Sequence, residues 1–402
     1  MGKMPPNLHI HGERSEFELD RRAVLGLGLS CWVASGCDSR RAPAKFASRQ
    51  LPQPSATQEE SKIERAAPSF KRGVSLGNAL DAPAEGEWGV TLSEAHFEAI
   101  ARAGLDHVRL PVRFSAHAGG VAPFSLEAVF MARVDWALEQ AKTRDLSVIL
   151  DFHHYNELME APAAHLDRFV AIWKQLAERY QTEPDTIAFE LLNEPCKQLT
   201  PVLLNPLMAR AISVVRETNR TRLVIVNSYA WAAAEGLQQL TLPDDPNVIA
   251  SFHMYQPLLF THQGAHWMGP EYQTRGIVFP GPPAQPIEPV AGAEAVSWVR
   301  NWLRDYNSLP TPQNPCSERA IVEQFELATA YEKQTGRRVY VGEFGAINVA
   351  DAASRERFLK FTRREAERRG FGWAYWDDGA GYRGWDERTG LWVPEIQRGL
   401  FE

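Results

Sequence analysis

The sequence predicts a (β/α)8 barrel, and three observations carry that prediction. Short β-type apolar runs alternate with helical stretches eight times between residues 70 and 402. A span of about 330 residues is enough for eight strand-and-helix units closed on themselves. Nearly every run ends in a polar or aromatic residue, at the strand end where such barrels carry their sites. The doubly wound open sheet is the rival, but no G-x-G-x-x-G or P-loop pattern follows any run.

The elements follow in order. Gly73-Val74-Ser75-Leu76 reads as the first strand, ending near Asn78, with a helix around 93–103. His107-Val108-Arg109-Leu110-Pro111 is the second, with a helix around 126–143. Val148 to His153 is the third, followed by His154 and a helix around 165–180. Ile187 onward is the fourth strand, expected to end at Asn193-Glu194, with a helix near 203–219. Leu223 to Asn227 is the fifth, and Val248 to His253 the sixth, with Tyr255 just beyond. The seventh runs from Val339 to Glu343, with a helix near 352–369. Phe371 to Trp376 is the eighth, with a closing helix near 394–401. One beat is overlong. Residues 256–317 are rich in Pro, Gly and aromatics; Trp267, Tyr272, Trp298 and Trp302 favour an ordered flap with a helix near 294–306. A helix near 318–335 follows it.

The chain has 402 residues, 44% apolar and 10% aromatic, so it can bury a sizeable core. Its net charge of −7 provides no basic footprint for nucleic acid. Twelve tryptophans fit a site that stacks the apolar faces of sugar rings. Four cysteines form no C-x-x-C pair, which argues against a zinc ribbon or a thioredoxin-like motif. Cys196 and Cys316 are candidates for a disulfide in an exported protein.

Residues 1–37 read as an address. Asp20-Arg21-Arg22 precedes an apolar stretch from Ala23 to Gly36 that is short of the about 20 residues of a membrane span. Paired arginines in that position suggest twin-arginine export. Ala34-Ser35-Gly36-Cys37 resembles a lipobox without its usual leucine, making Cys37 a candidate lipidation site and membrane tether. Residues 38–68 have the composition of a flexible, disordered linker, and 69–402 are expected to form the barrel domain. Periplasmic, lipid-anchored or secreted bacterial protein is the expected location, and a monomer the expected state.

Two glutamates each close an apolar run: Glu194 in Ile187 to Pro195, and Glu343 in Val339 to Gly345. A carboxylate at a buried strand end is costly unless it is paired or used. Two of them, far apart in sequence, suggest one site built from two strands, and glycoside hydrolysis is the chemistry that needs such a pair. Glu190 lies four residues before Glu194, so it faces the same way and deeper in the barrel, as a structural, paired carboxylate.

Leu192-Asn193-Glu194-Pro195, Val341-Gly342-Glu343-Phe344-Gly345, Ile149 to His154 and His253-Met254-Tyr255 together resemble glycoside hydrolase family 5. Arg72 to Asn78 and Trp373-Ala374-Tyr375-Trp376 fit as well. The resemblance covers roughly residues 70–402. It implies a TIM-barrel retaining enzyme acting on β-linked polysaccharide, with no cofactor and no metal. Glu194 would be the acid/base and Glu343 the nucleophile. Arg109 would hold Glu343 ionised, Asn193 would bind the sugar 2-hydroxyl, and His153 would sit beside that sugar, with His154 at the wall. His253 and Tyr255 would flank the two glutamates. Trp376 would be the floor on which the sugar stacks, and Trp231 a platform on the leaving-group side.

An endo-β-1,4-glucanase (cellulase-like) is the leading reading, with a β-mannanase or another β-glycanase as runner-up. A non-catalytic carbohydrate-binding barrel and a metal-dependent hydrolase using Asp151, His153, His154 and His253 are the rivals. The metal reading leaves the Glu194/Glu343 pair without a purpose.

Overall fold

The computed structural model describes residues 70–402. The export signal of residues 1–37, with Cys37, and the linker of 38–68 lie outside the described residues. Eight parallel strands close into a barrel in sequence order. They are β1 (Arg72–Leu76), β2 (His107–Val112), β3 (Ser147–Phe152), β4 (Ile187–Glu190), β5 (Val224–Asn227), β6 (Val248–Met254), β7 (Val339–Phe344) and β8 (Gly372–Asp377). β1 pairs with β8 from Arg72↔Trp373 to Leu76↔Asp377, which closes the ring.

Helices α1 (Glu94–Arg102), α2 (Ala128–Lys142), α3 (Pro162–Arg179) and α4 (Pro201–Thr218) lie between the first five strands. Their apolar residues recur at helical spacing. In α3, Phe169, Ile172, Trp173, Leu176 and Ala177 are buried, and the Trp173 indole donates to the Leu191 carbonyl at 2.9 Å. Prolines at the first turns of α3 and α4 cost no hydrogen bond there. After β5 the crossover is a four-residue turn, Tyr229–Ala232, and a 3₁₀ stretch, Ala234–Gln239.

The overlong beat is ordered, as expected of a flap. It contains α5 (Ser297–Ser308) among short turns, and α6 (Glu318–Thr335) follows it. Its backbone groups find side-chain partners in place of a sheet. The buried Gln263 amide donates to the Ile277 carbonyl at 2.8 Å and accepts from the Ile277 N–H at 3.0 Å. Helices α7 (Ala352–Arg368) and α8 (Pro394–Phe401) complete the shell, with the Asp351 carboxylate capping α7.

Inward-facing residues form layers. The lower layer is apolar, with Ile149, Ala188, Ile225, Ile249, Tyr340 and Ala374 in one cluster. One residue pair further along each strand, the layer turns polar: Ser75, Arg109, Asp151, Glu190, Asn227 and Ser251 are all buried. At the bottom, His107 is clamped between Asp106 (Nδ1 to Oδ1, 2.6 Å) and the Tyr340 hydroxyl (Nε2, 2.7 Å). Asp106 also accepts from the backbone N–H groups of Lys71 and Arg72, so it acts as acceptor throughout. His107 is therefore neutral at Nε2 and accepts from Tyr340, and burial pushes its pKa down.

Two expectations are corrected. β4 ends at Glu190, not Glu194. Past Glu190 the pairing with β3 slips by one residue, so that the Asn193 N–H meets the Phe152 carbonyl at 2.9 Å, and Glu194 takes a left-handed φ of 46°. Cys196 and Cys316 do not pair; both are buried free thiols. Each fills its own slot: Cys196 just past the β4 turn, and Cys316 ahead of α6, donating to the Val278 carbonyl at 3.3 Å. Burial pushes the Cys196 thiol up to about 12 and the Cys316 thiol well up, so neither is reactive.

A β-carbon on Gly73 would lie 2.3 Å from His107 Nε2. Gly73→Ala is therefore expected to break the His107–Tyr340 bond and cost roughly 1–3 kcal/mol of stability, read from the midpoint of urea unfolding.

Candidate active site

Arg109 of β2 stands in the middle of the upper layer, fully buried. Its guanidinium fork meets Glu190 twice, Nε to Oε2 and Nη2 to Oε1, both at 2.8 Å. Nη1 donates to Glu343 Oε1 at 2.7 Å and Nη2 donates to Asn193 Oδ1 at 2.7 Å, while Asp151 Oδ2 lies 3.0 Å from Nη2 as an ion pair. One cation thus faces three carboxyl groups, which raises its own pKa further. Glu190 is held below its usual value: burial pushes it up, but the charge and hydrogen bonds of Arg109 and a bond from Asn227 Nδ2 (2.5 Å) pull harder. It is the structural, paired carboxylate that its spacing implied.

Bond directions around Asn193 settle a chain of protons. Arg109 can only donate, so Asn193 Oδ1 faces it and Asn193 Nδ2 faces His153 Nε2 at 3.3 Å. His153 Nε2 must then accept, leaving the proton on Nδ1, which donates to Asp151 Oδ2 at 2.6 Å. Burial, with His154 and Arg109 nearby, drives the His153 pKa well down, in keeping with a neutral ring. Burial likewise drives the Asp151 carboxyl well up, against the pull of Arg109.

Glu194 and Glu343 face one another across this layer. One carboxylate oxygen of each, and a ring nitrogen of His253, lie within 4.8 Å of one another. Their environments differ. Glu343 is buried and accepts from Arg109 and from the Tyr255 hydroxyl, Oε2 at 2.9 Å. Glu194 is about a third exposed and meets His253 Nδ1 through Oε1 at 2.8 Å. His253 Nδ1 also lies 3.5 Å from Glu343 Oε2. The Glu343 carboxyl sits above its usual 4.5: burial raises it most, His253 and Arg109 lower it, Glu194 raises it, and Tyr255 lowers it. Burial beside Glu343 keeps Tyr255 firmly protonated, hence a donor.

A bulge aims Glu343. Phe252 of β6 pairs with Val341 but His253 pairs with Glu343, so Gly342 is an extra residue in β7. Four other positions at the strand ends take left-handed backbone: Asn78, His154, Glu194 and Trp231. Such strain gathers where the surroundings impose it for a purpose.

The walls complete the cleft. Trp376 lies parallel to His153, 5.6 Å between centroids and 10° between planes. It crosses Gly77, where a β-carbon would meet the indole at 2.5 Å. His154 stands edge-on to Trp88 at 5.4 Å, with Nε2 3.7 Å from Asp81 Oδ2. Trp231 is tied to the Glu194 turn by its N–H to the Pro195 carbonyl at 3.3 Å. Arg109, His153, Asn193, Glu194, His253, Tyr255, Glu343 and Trp376 are thus joined in one cluster, His154 stands against His153, and Trp231 is joined only through its backbone to the Glu194 turn. The four residues of the metal-hydrolase rival do not form one donor set: His153 and His154 group with Asp81, and His253 with the two glutamates. Asp81 and the half-exposed Trp88 were missed, because they sit in the loop after β1, where no strand pattern marks them.

Removing the Arg109 charge leaves several buried carboxyl groups facing each other. Arg109→Met is expected to cost roughly 3–5 kcal/mol in guanidinium unfolding at neutral pH, with part of the loss recovered under acid conditions that protonate those groups.

Comparison with known proteins agrees with this geometry. Residues 71–381 match the family model for cellulase, glycosyl hydrolase family 5. Endoglucanase H of Acetivibrio thermocellus is 29% identical over 307 residues, which cover 76% of this chain and 29% of that much longer protein. A hyperthermophilic endo-β-1,4-glucanase solved with substrate superposes with a TM-score of 0.72 at 34% identity, covering 83% of this chain and 97% of that one. Thermotoga maritima Cel5A solved with mannotriose gives 0.70 at 34% identity, covering 85% and 99%. A closed eight-stranded barrel, its paired glutamates and a family match over most of the chain lead to one conclusion: the protein belongs to glycoside hydrolase family 5.

Proposed function

We propose that the protein is a retaining endo-β-1,4-glucanase that hydrolyses β-glucan by double displacement. The observation that carries this reading is the unlike pair Glu194 and Glu343, with carboxylate oxygens inside 4.8 Å. A retaining pair needs carboxyl groups about 5–5.5 Å apart, whereas an inverting pair needs about 6.5–9.5 Å to house a water. Similarity to solved endoglucanases supports the substrate class.

In the first step Glu343 attacks the anomeric carbon as the glycosidic C–O bond breaks, and Glu194 gives its proton to the leaving oxygen. The product is a glycosyl ester on Glu343. In the second step Glu194, now ionised, takes a proton from water; the water oxygen attacks the same carbon and Glu343 leaves as carboxylate. Arg109 and Tyr255 stabilise the negative charge when Glu343 is free. Asn193 keeps a second Nδ2 hydrogen for the sugar 2-hydroxyl, a contact that strengthens in the transition state. His153 and Trp376 form a flat aromatic corner for the sugar face.

A β-mannanase or mixed-specificity enzyme is the second reading, favoured by the mannotriose complex of the related Cel5A. The reacting groups act at the anomeric carbon and do not by themselves choose between the two polymers.

Reducing-sugar release from carboxymethyl cellulose, β-glucan and mannan tests both readings, and binding without turnover on all three would sink the enzyme assignment. On the active polymer, Glu343→Gln is expected to abolish turnover. Glu194→Ala is expected to slow the polymer by about 10²-fold or more, yet spare the first step with an activated aryl leaving group, which needs no proton. Equal losses on both substrates would contradict the roles.

The pH dependence follows from Glu343. The nucleophile works ionised, so kcat/KM falls as pH drops through its pKa, which burial has placed above 4.5. Tyr255→Phe removes a bond that favours the charged form. Its acid limb is expected to move to higher pH, measured as the midpoint of the kcat/KM profile.

A further inference from the structure

Asp81, His153 and His154 form a cluster in the cleft that takes no part in the attack or the proton transfer. A carboxylate oxygen of Asp81 and a ring nitrogen of each histidine lie within 4.8 Å of one another. Asp81 is fully buried. Its Oδ1 accepts from the Ala79 N–H at 2.8 Å, but its Oδ2 has no hydrogen-bond donor among the described residues. His154 Nε2 lies 3.7 Å from that oxygen, beyond hydrogen-bond reach. His153 is prepared as a ligand. Its Nδ1–H donates to Asp151 Oδ2 at 2.6 Å, which leaves a lone pair on Nε2, and the Asn193 Nδ2 contact to that lone pair is long, 3.3 Å. An imidazole that gives one N–H to a carboxylate and offers its other nitrogen is the arrangement that orients metal-bound histidines. His154 stands edge-on to His153, 4.3 Å between centroids, and its side chain is about a third exposed, so it opens the cluster to solvent.

We propose that Asp81, His153 and His154 bind a zinc ion, and that the bound ion inhibits the enzyme. The inhibition, though not the binding, rests on the glycosidase reading given above. Two imidazoles and one carboxylate are donors that zinc takes, with water in the fourth position. At bond lengths of about 2.0–2.2 Å, neighbouring donors in a tetrahedral zinc site stand ~3.4 Å apart. The Asp81–His154 separation of 3.7 Å is close to that. Where His154 is charged, the ion takes the place of its proton, which passes to solvent, and positive charge remains beside His153. On His153 the ion occupies the corner that this ring and Trp376 offer to the sugar, so ion and sugar compete. Among the described residues a second group has metal-ligand spacing: Glu194, His253 and Glu343. There Arg109 and Tyr255 already donate to Glu343, and His253 meets Glu194, whereas Asp81 Oδ2 has no donor. Calcium and magnesium, which prefer oxygen ligands, do not suit two imidazoles.

Calorimetric titration of the full-length protein with zinc chloride alone tests the site. Asp81→Asn keeps the acceptor for the Ala79 N–H and removes the charge; His154→Ala removes a nitrogen donor. Each is expected to weaken zinc affinity by about tenfold or more, since even outer-shell changes act on metal sites at that scale. Comparison with these variants separates the site from binding by other histidines of the chain. Glu194→Gln is expected to keep the wild-type affinity, and calcium and magnesium to show no binding. On β-glucan, zinc is expected to raise KM without lowering kcat, and a chelator to reverse the effect. Unchanged zinc affinity in Asp81→Asn or His154→Ala, or its loss in Glu194→Gln, overturns the proposal. So does zinc binding that leaves an active enzyme uninhibited. Should the variants fail to fold, anomalous diffraction from wild-type crystals soaked in zinc decides it: an ion touching Asp81 and both histidines supports the site, and none there overturns it. If the wild type binds zinc at this site yet degrades no glucan, the zinc site stands and the glycosidase reading falls.

Discussion

The upper half of this barrel depends on one buried cation. Arg109 is surrounded by Glu190, Glu343 and Asp151, and each of those carboxyl groups is too deep to be solvated by water. A guanidinium is suited to the place because its planar fork holds a charge at neutral pH and spreads donors in fixed directions. Two donors close on Glu190 and anchor the fork to β4; others reach Glu343 on β7 and Asn193 past β4, and Asp151 on β3 pairs with the charge at 3.0 Å. Strands far apart in sequence are thus registered against one charge.

From that charge the rest of the site takes its order. Because Arg109 only donates, the Asn193 amide has one orientation, His153 has one tautomer, and Asp151 receives the last bond. Such a chain fixes the orientation of each side chain at the floor of the cleft. The same logic separates the two glutamates. Glu343 is buried and bonded from two sides, whereas Glu194 is more exposed and meets a single histidine. Two carboxyl groups of one chemical type thereby become unequal through surroundings alone.

Backbone strain is concentrated at the same end of the barrel. Asn78, His154, Glu194 and Trp231 are all left-handed, and Gly342 bulges out of register. The lower layer is regular, apolar and tied by the His107–Tyr340 clamp. The departures from ideal geometry thus gather mainly at the end where the polar side chains converge.

Much of this was legible in the sequence. The beat of apolar runs placed eight strands to within a few residues, because burial on both faces leaves parallel strands as short continuous apolar stretches. The polar residues ending those runs named Arg109, Glu194, His253, Tyr255 and Glu343, since a buried polar group at a strand end needs a partner. Glu190 is the paired, structural carboxylate that was expected, although the spacing argument put Glu194 on the same strand and Glu194 lies beyond its end. Periodicity had no means of marking where β4 stops, as that lies in a one-residue slip of its pairing with β3. It said nothing of Asp81 and Trp88, whose positions depend on the path of a loop. Local sequence could list Cys196 and Cys316 as candidates, but only the packing put each thiol in a separate slot. What the chain determined by itself is therefore the fold and the polar residues that end its strands. What the tertiary structure decided is their inequality: the burial of Glu343, the exposure of Glu194 and the single direction of every bond around Arg109 arise only when residues from different strands share one interior.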